Sequence, residues 1–215
     1  HNPFEFNGIK FFDGRGYKLS DSMEDSIEEM INKDSCKDLL LTGERLGKRT
    51  SAENALHDYV NFLKGTIDCD LKGMKIAIDC ANGASYESAP LVLSELGADV
   101  CVINNKPDGI NINRDCGSTH MSQLKSFVLE CGADLGFAFD GDADRVLAVD
   151  EKGNLVDGDQ IMAIIGLALK QDNQLDKNTI VATVMSNLGF DIMARDNGLN
   201  LVKTKVGDRY VLEEM

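Results

Sequence analysis

Residues 74–103 read MKIAIDCANGASYESAPLVLSELGADVCVI, and this stretch decides the fold class. The apolar run at 74–78 predicts a buried strand, and the apolar spacing over 85–96 predicts a helix that ends at Gly97. A second strand is predicted at 99–103. A strand, a helix and a strand in this order are typical of parallel sheets that are covered by helices.

The alternation of strands and helices continues on the C-terminal side of this stretch. The pattern predicts, in order, a helix at 119–131, strands at 135–139 and 146–149, and a helix at 159–170 that Asp159 caps. A second α/β unit is predicted beyond them, with a strand at 179–185, a helix at 187–197, a strand at 199–203 and a helix from Asp208. The predicted fold class is therefore α/β, with mixed, mostly parallel sheets sandwiched by helices.

The N-terminal part has a different pattern. Residues 8–19 predict a hairpin, because two short strand-like runs flank a glycine-containing turn at 13–16. Ser20 can cap a helix that extends to about residue 32. A further helix is predicted at 52–64 from the spacing of its apolar residues.

The composition excludes several classes of partner. The chain of 215 residues is 43% hydrophobic, which suffices for proper cores, and its formal net charge is −14. Such an acidic surface repels nucleic acid and anionic membranes, so neither is expected as a partner. The longest apolar runs are far shorter than a membrane span. The six cysteines include no Cys-x-x-Cys pair, so we expect reduced thiols in a cytoplasmic protein rather than a zinc site.

The strongest chemical signal is the stretch FAFDGDADRVL at 137–147. Asp140, Asp142 and Asp144 occupy alternate positions directly after a predicted buried strand. Ligands bind at the carboxyl ends of strands in sheets of this class. Clustered carboxylates repel each other unless a cation lies between them, and hard oxygen ligands of this kind suit Mg²⁺. Arg145, next in the chain, can hold a phosphate or brace a carboxylate.

Two other interpretations of this loop remain open. The first is an ordinary acidic surface loop. The second is an EF-hand, whose ligand positions 1, 3, 5 and 12 would be taken by Asp140, Asp142, Asp144 and Glu151. The EF-hand is disfavoured, because Arg145 stands where that loop needs a glycine and because both flanks are predicted to be strands.

Several motifs together resemble the α-D-phosphohexomutase family. The sequence Asp-Gly-Asp-Ala-Asp-Arg at 140–145 is similar to the metal loop of that family, and HNPFEFNGIK at 1–10 resembles the stretch after its phosphorylated serine. Three further motifs resemble the phosphoglucosamine mutase branch of the family: DCANGA at 79–84, VDGDQ at 156–160 and KVGDRYV at 205–211. Ala143 stands where many members have a second glycine. The resemblance extends, in order, over the whole chain.

The resemblance implies an architecture of four α/β domains around a cleft. In that scheme, 1–68 is the C-terminal part of domain 1, after the phosphoserine loop. Residues 69–174 are a complete domain 2 with the metal loop, and 175–215 are the start of domain 3. The chain is then expected to be an internal piece of a multi-domain phosphohexomutase that catalyses nothing by itself.

The resemblance also implies a reaction and roles for individual residues. Phosphate would move between the 6- and 1-oxygens of glucosamine, for amino-sugar nucleotide and cell-wall precursor synthesis. The transfer would use one Mg²⁺, a glucose or glucosamine 1,6-bisphosphate, and a phosphoserine directly before His1. His1 would orient the phosphate, Lys10 would exchange a proton with the sugar hydroxyl, and Arg145 would act in the catalytic centre. Asp208 and Arg209 would contact the hexosamine phosphate, although capping a helix is an equal alternative for an aspartate there.

Other functions remain open from the sequence. One is a phosphomannomutase or phosphoglucomutase of the same family, because the choice of glucosamine rests on likeness alone. Another is a divalent-cation-binding module without catalysis. A third is a metal-dependent phosphatase that uses an aspartate as its nucleophile and releases phosphate to water. The sequence does not indicate the oligomeric state.

Overall fold

The computed structural model describes residues 2–6, 8–33 and 40–215. Contacts within the chain divide it into two compact units, of which one comprises 1–6 with 54–215 and the other comprises 7–53. The units differ in how far their side chains are removed from water. All the described residues that are buried lie in the larger unit.

Among its described residues, the smaller unit contains one α-helix, α1 (Asp21–Asn32), which begins after Ser20 as predicted, although the Ser20 side chain makes no capping hydrogen bond. Asp21 and Glu24 lie in its first turn, where negative charge interacts favourably with the helix dipole. A short 3-10 helix follows at Gly43–Arg45. The helical part of the N-terminal prediction is therefore confirmed.

The hairpin predicted at 8–19 is present as a turn without regular strands. The Asp13 N–H donates to the Tyr17 carbonyl at 2.7 Å, which closes the turn. Beyond it, a single antiparallel bridge between Phe12 and Lys18 is all the pairing found among the described residues of this segment. The prediction of two strands is wrong here, because a two-stranded ribbon is marginal without a third strand or a helix to cover it.

The larger unit is built on a five-stranded sheet. Its strands are β1 (Lys75–Asp79), β2 (Asp99–Ile103), β3 (Leu135–Phe139), β4 (Val146–Asp150) and β5 (Leu155–Val156). Their spatial order is β2-β1-β3-β4-β5. Strand β1 runs parallel to β2 and β3, whereas β4 runs antiparallel to β3 and β5. The mixed sheet is confirmed, and the short β5 was not predicted.

Helices cover both faces of this sheet. Helix α2 (Ala55–Lys64) packs against α3 (Ser85–Glu95), which covers the sheet together with α4 (Ser122–Cys131) and α5 (Gly158–Gln171). Because alternate residues of a strand point to opposite faces, Ala77 packs with Val128 of α4, while Ile76 and Ile78 pack with Ala89 of α3. Apolar contacts on both faces confirm the α/β class. None of the helices in the described parts of the chain combines the length and the apolar character that crossing a membrane requires.

Two parallel strands form a second sheet. The elements are β6 (Thr179–Thr183), α6 (Leu188–Asp196), β7 (Asn200–Thr204) and α7 (Asp208–Glu214). Strands β6 and β7 pair directly, and α7 packs against both. The predicted order of strand, helix, strand and helix is confirmed, with the boundaries shifted by a few residues.

The N-terminus of α5 is capped by Asp157 and not, as predicted, by Asp159. The Asp157 side chain accepts the Gln160 N–H at 2.9 Å, and the Gln160 side chain accepts the Asp157 N–H at 2.8 Å. This reciprocal pair satisfies two N–H groups that the helix itself cannot bond. Asp159 instead accepts the backbone N–H of Asn187, the N-cap of α6, at 2.8 Å. It therefore joins the starts of two helices.

Candidate metal centre

Asp140 lies at the carboxyl end of β3, in the interior of the first sheet. Its side chain is completely buried. Strand β4 runs antiparallel to β3. Phe139 and Val146 form the last pair between the two strands, next to the loop that connects them. Residues 140–145, called here the aspartate loop, thus connect two strands of a packed sheet.

Backbone hydrogen bonds shape the aspartate loop. Asp140 Oδ1 accepts the Arg145 N–H at 3.1 Å, and the Asp140 N–H donates to the Arg145 carbonyl at 3.3 Å. The Ala143 N–H donates to the Asp140 carbonyl at 3.1 Å. Ala143 has a left-handed backbone with φ of 61°, a conformation that costs a non-glycine residue roughly 1–3 kcal/mol. The surrounding bonds hold the loop in this conformation against that cost.

The loop brings the three predicted carboxylates together. Asp140, Asp142 and Asp144 each offer one oxygen, and these three atoms lie within 4.8 Å of one another. Asp140 is buried, whereas Asp142 and Asp144 are exposed, so the cluster has a protein side and an open side. Three hard oxygen donors with open positions left for water or phosphate fit the needs of Mg²⁺. The donor set therefore fits a hard divalent cation.

Arg145 lies beside the cluster and is 58% exposed. Its Nε is 4.0 Å from an oxygen of Asp140 and 4.0 Å from an oxygen of Asp144. At these distances the guanidinium offsets part of the repulsion between the carboxylates without a close hydrogen bond to either. Its exposed face can still bind an anion that approaches from the open side.

Two glycines let two neighbouring loops, one after β1 and one after β2, approach the aspartate loop. A Cβ atom on Gly83 would lie 2.2 Å from the carbonyl oxygen of Gly141, which is closer than any real contact. The N–H of Ala84 donates to that same oxygen at 2.7 Å. A Cβ atom on Gly141 would in turn lie 2.5 Å from Nδ2 of Asn113. The loop after β1 therefore packs directly against the backbone between Asp140 and Asp142.

Asp79 joins two loops beneath this site, and sequence reasoning did not single it out as a site residue. It is completely buried at the end of β1. One carboxylate oxygen accepts the Ala81 N–H at 2.9 Å, and the other accepts the Gly117 N–H at 2.9 Å. The sequence did contain an indication, because Asp79, like Asp140, directly follows an apolar run that predicts a buried strand.

Asn113 is a second residue that sequence reasoning missed. It is 9% exposed and has a left-handed backbone with φ of 57°. Its backbone N–H donates to the Ala81 carbonyl at 2.9 Å, and its side-chain Nδ2 donates to the Asn2 carbonyl at 2.9 Å. It lies in a long loop without periodicity, so no local pattern could have predicted a contact with the start of the chain.

Two thiols near these loops are unsuited to nucleophilic chemistry. Cys80 and Cys116 are completely buried. Burial raises the pKa of each thiol to about 11, and the negative charge of Asp79 acts in the same direction. Both thiols therefore stay protonated near neutral pH, and the thiolate is the reactive form. The five cysteines in the described part of the chain are all free, in line with the expected reduced thiols.

Two predicted catalytic residues belong to the N-terminal region. Lys10 is exposed and lies in the smaller unit. His1 lies outside the residues that the structure describes. The roles expected of these two residues stay predictions.

The predicted substrate residues Asp208 and Arg209 form the start of α7, on the second sheet. Gly207 takes the N-cap position, so Asp208 is the first helical residue rather than the cap. Asp208 Oδ1 accepts the Arg209 N–H at 2.8 Å, and Arg209 Nε donates to Glu213 at 3.0 Å. The exposed Asp208 and half-buried Arg209 stand at a helix start above the second sheet.

Comparison with protein families covers most of the chain. Three consecutive family profiles match, described as the phosphoglucomutase/phosphomannomutase alpha/beta/alpha domains I, II and III. Domain I matches residues 1–38, domain II matches 57–153 and domain III matches 157–215. The aspartate loop falls within the match to domain II.

Curated relatives and solved structures agree with these profiles. A phosphoglucosamine mutase of Acetivibrio thermocellus is 69% identical and one of Ruminiclostridium cellulolyticum is 66% identical, each over all 215 residues. The chain covers 48% of each, so it spans about half the length of the curated relatives it matches. A phosphoglucomutase/phosphomannomutase family structure from Burkholderia thailandensis has a TM-score of 0.73 at 20% identity, over 93% of this chain and 42% of that one. The structural likeness shows a shared fold.

Proposed function

Because the chain belongs to the phosphoglucomutase/phosphomannomutase family, the α-D-phosphohexomutases, we propose that the full-length protein interconverts glucosamine 6-phosphate and glucosamine 1-phosphate. The choice of glucosamine rests on the two relatives named phosphoglucosamine mutase, at 69% and 66% identity. The setting we propose is the cytoplasm, where the product would enter amino-sugar nucleotide and cell-wall precursor synthesis.

The single observation that carries this proposal is the cluster of three carboxylates on the aspartate loop. Asp140, Asp142 and Asp144 can place three oxygens within 4.8 Å of one another at the carboxyl end of a buried strand. Phosphoryl transfer depends on alignment and on neutralising charge more than on covalent help from the protein. A fixed anionic cluster that attracts a cation is therefore the part such an enzyme needs most.

Asp140, Asp142 and Asp144 would hold one Mg²⁺. When bound, the ion would neutralise charge on the oxygens of the phosphoryl group that is transferred. The buried Asp140 would fix the position of the site in the sheet, because both backbone bonds to Arg145 hold it in place. The exposed Asp142 and Asp144 leave the open side facing the substrate.

The proposed chemistry is a pair of phosphoryl transfers. In the first, the bond between phosphorus and a serine oxygen breaks, and a bond to the free hydroxyl oxygen of the sugar phosphate forms. The hydroxyl proton ends on the serine oxygen, and the product is a 1,6-bisphosphate. In the second transfer, the bond between the other phosphorus and its sugar oxygen breaks, a bond to the serine oxygen forms, and the serine proton ends on that sugar oxygen. Lys10 would carry the proton between the two oxygens, and His1 would orient the phosphate beside the serine.

Three further residues are assigned to anion and substrate binding. Arg145 would bind a phosphate oxygen with its exposed guanidinium, which lies 4.0 Å from two of the carboxylates. Asp208 and Arg209, at the start of α7, would contact the hexosamine phosphate. Arginine suits this task because its planar group binds phosphate through two parallel hydrogen bonds.

The test is an assay of the purified full-length protein with Mg²⁺ and glucose 1,6-bisphosphate. Glucosamine 6-phosphate, glucose 6-phosphate and mannose 6-phosphate are compared as substrates, and the sugar 1-phosphates are measured. We expect the highest kcat/KM for glucosamine 6-phosphate, together with phosphoserine on the residue that precedes His1.

Each alternative gives a different result in this assay. A preference for glucose or mannose phosphate would keep the family chemistry but refute the choice of glucosamine. Release of inorganic phosphate in place of a sugar 1-phosphate would indicate a phosphatase. Cation binding with no turnover of any substrate would indicate a binding module and would refute the mutase.

A further inference from the structure

Asn113 is a buried polar residue to which the proposed reaction assigns no role. It stands on the long loop between β2 and α4, and its backbone N–H is bonded to the Ala81 carbonyl at 2.9 Å. Asparagine adopts the left-handed conformation found here more readily than most residues. The backbone of this loop is thus held in place, and the side chain is left to make contacts elsewhere.

The side chain lies between two segments that are distant in sequence. Its Nδ2 donates to the carbonyl of Asn2 at 2.9 Å. The same nitrogen occupies the space next to Gly141, where a Cβ atom on that glycine would lie only 2.5 Å away. Asn113 therefore touches the N-terminal segment with a hydrogen bond and the aspartate loop by close packing.

The amide uses its donor and its acceptor unequally. Nδ2 of Asn113 donates to the Asn2 carbonyl, whereas no residue in the described ranges donates to the buried Oδ1. The contact that this side chain makes with the N-terminal segment is therefore the one from its donor, and removal of that donor is the change to test.

We propose that Asn113 is a positioning residue, which holds the backbone at Asn2 against the aspartate loop at Gly141. This inference rests on the proposed function, in which the phosphorylated serine directly precedes His1 and so lies close to Asn2 in the chain. Phosphoryl transfer requires the phosphoserine and the carboxylate cluster to keep one relative position. A displacement of about 1 Å can slow such a reaction by about 10²-fold.

The test compares two substitutions with a matched control in the full-length protein. Asn113→Gly removes the amide and keeps the left-handed backbone without strain. Asn113→Asp keeps the shape but replaces the donor to Asn2 by a carboxylate oxygen. Asn173→Gly is the control, because Asn173 also has a positive φ, of 55°, but is exposed beyond the end of α5.

We expect both Asn113 variants to lower kcat by about 10- to 100-fold while KM for the sugar phosphate stays unchanged. Amide hydrogen exchange in a peptide covering residues 2–6 should become faster. The control should keep the wild-type kcat and the wild-type exchange at 2–6. Exchange reports on the contact without depending on turnover.

Three outcomes would overturn the inference. One is a wild-type kcat in both variants, and another is unchanged exchange at residues 2–6. The third is a fall in melting temperature with kcat per folded molecule unchanged, which is what a purely structural residue would give. If Asn113→Gly does not fold, the isosteric Asn113→Asp decides between these results. Absence of mutase activity in the wild-type protein would refute the proposed function instead, while the exchange measurement would still test the contact.

Discussion

Two loops in this chain begin with an aspartate and include an arginine, yet one of them holds a carboxylate cluster and the other is a plain surface turn. In the first, Asp13 Oδ1 accepts the N–H groups of Arg15 at 2.8 Å and Tyr17 at 3.1 Å. These backbone bonds lower the pKa of Asp13. In the second, Asp140 Oδ1 accepts the Arg145 N–H at 3.1 Å. The local hydrogen bonding is alike.

The two loops differ in what flanks them. The first is attached to a single bridge, and the Asp13 side chain remains 30% exposed. The second joins β3 and β4, which pair along their whole length within a sheet covered by helices, and Asp140 is fully buried. The backbone N–H groups of a turn can by themselves provide the hydrogen bonds that one aspartate needs. Holding three mutually repelling carboxylates in place requires a packed scaffold beneath them.

The largest effect is expected at Lys10, close to the first loop. Lys10→Met keeps the aliphatic stem and removes the group that would exchange a proton. Loss of general acid–base catalysis typically costs about 10²–10⁴ in rate, so kcat should fall by that factor while Mg²⁺ affinity is unchanged. Steady-state kinetics and a Mg²⁺ titration measure the two quantities.

Lys18→Met is the control for Lys10, because Lys18 lies on the opposite side of the same turn. It should leave kcat at the wild-type value. Wild-type kcat in Lys10→Met would mean that Lys10 is an ordinary exposed lysine and exchanges no proton in the reaction.

A large effect is also expected at the second loop. Asp142→Asn removes one negative charge and one strong ligand from the cluster. Changing residues that merely support metal ligands already costs about 10–100-fold in affinity or activity, so Mg²⁺ affinity and kcat should fall together by about 100-fold or more. The melting temperature without metal should be unchanged or higher, because repulsion within the cluster is reduced.

The corresponding change in the first loop, Asp13→Asn, should leave Mg²⁺ affinity at the wild-type value. Calorimetric titration of both variants gives the comparison directly. Full turnover of Asp142→Asn at low Mg²⁺ would contradict the assignment of Asp142 as a ligand.

A smaller effect is expected from the glycines that accompany each loop. Gly83→Ala would place a Cβ atom 2.2 Å from the Gly141 carbonyl oxygen, so the backbone of one loop must move. Overpacking of this kind typically costs about 1–3 kcal/mol of unfolding free energy. In the turn of the first loop, a Cβ atom on Gly14 would meet nothing within 4 Å. Gly14→Ala should therefore leave the free energy of unfolding almost unchanged in a denaturant titration. If Gly14→Ala and Gly83→Ala lowered the free energy of unfolding equally, the proposed difference in packing between the two loops would be refuted.

The sequence predicts the second loop better than the first. Asp140, Asp142 and Asp144 follow a strand that is buried on one face and partly buried on the other, so local pattern and tertiary structure favour the same element there. At residues 8–19 the local pattern also favours strands. With no further strand paired to them in the described part of the smaller unit, that preference produces a single bridge.

Contacts between distant segments could not be predicted from the sequence. The bond from Asn113 to Asn2 joins residues 111 positions apart, and neither residue belongs to a periodic element. The approach of Gly83 to Gly141 likewise depends on how two loops meet at one end of the sheet. One-dimensional patterns record which face of a strand is buried, whereas loop-to-loop contacts depend on the assembled sheet.

The most direct test of the central claim is anomalous diffraction from crystals of the full-length protein soaked in Mn²⁺. Mn²⁺ binds oxygen ligands of the kind that Mg²⁺ prefers, and it gives a measurable anomalous signal. We predict one strong peak within bonding distance of an oxygen from each of Asp140, Asp142 and Asp144. A peak elsewhere, with none at the aspartate loop under saturating Mn²⁺, would contradict the account.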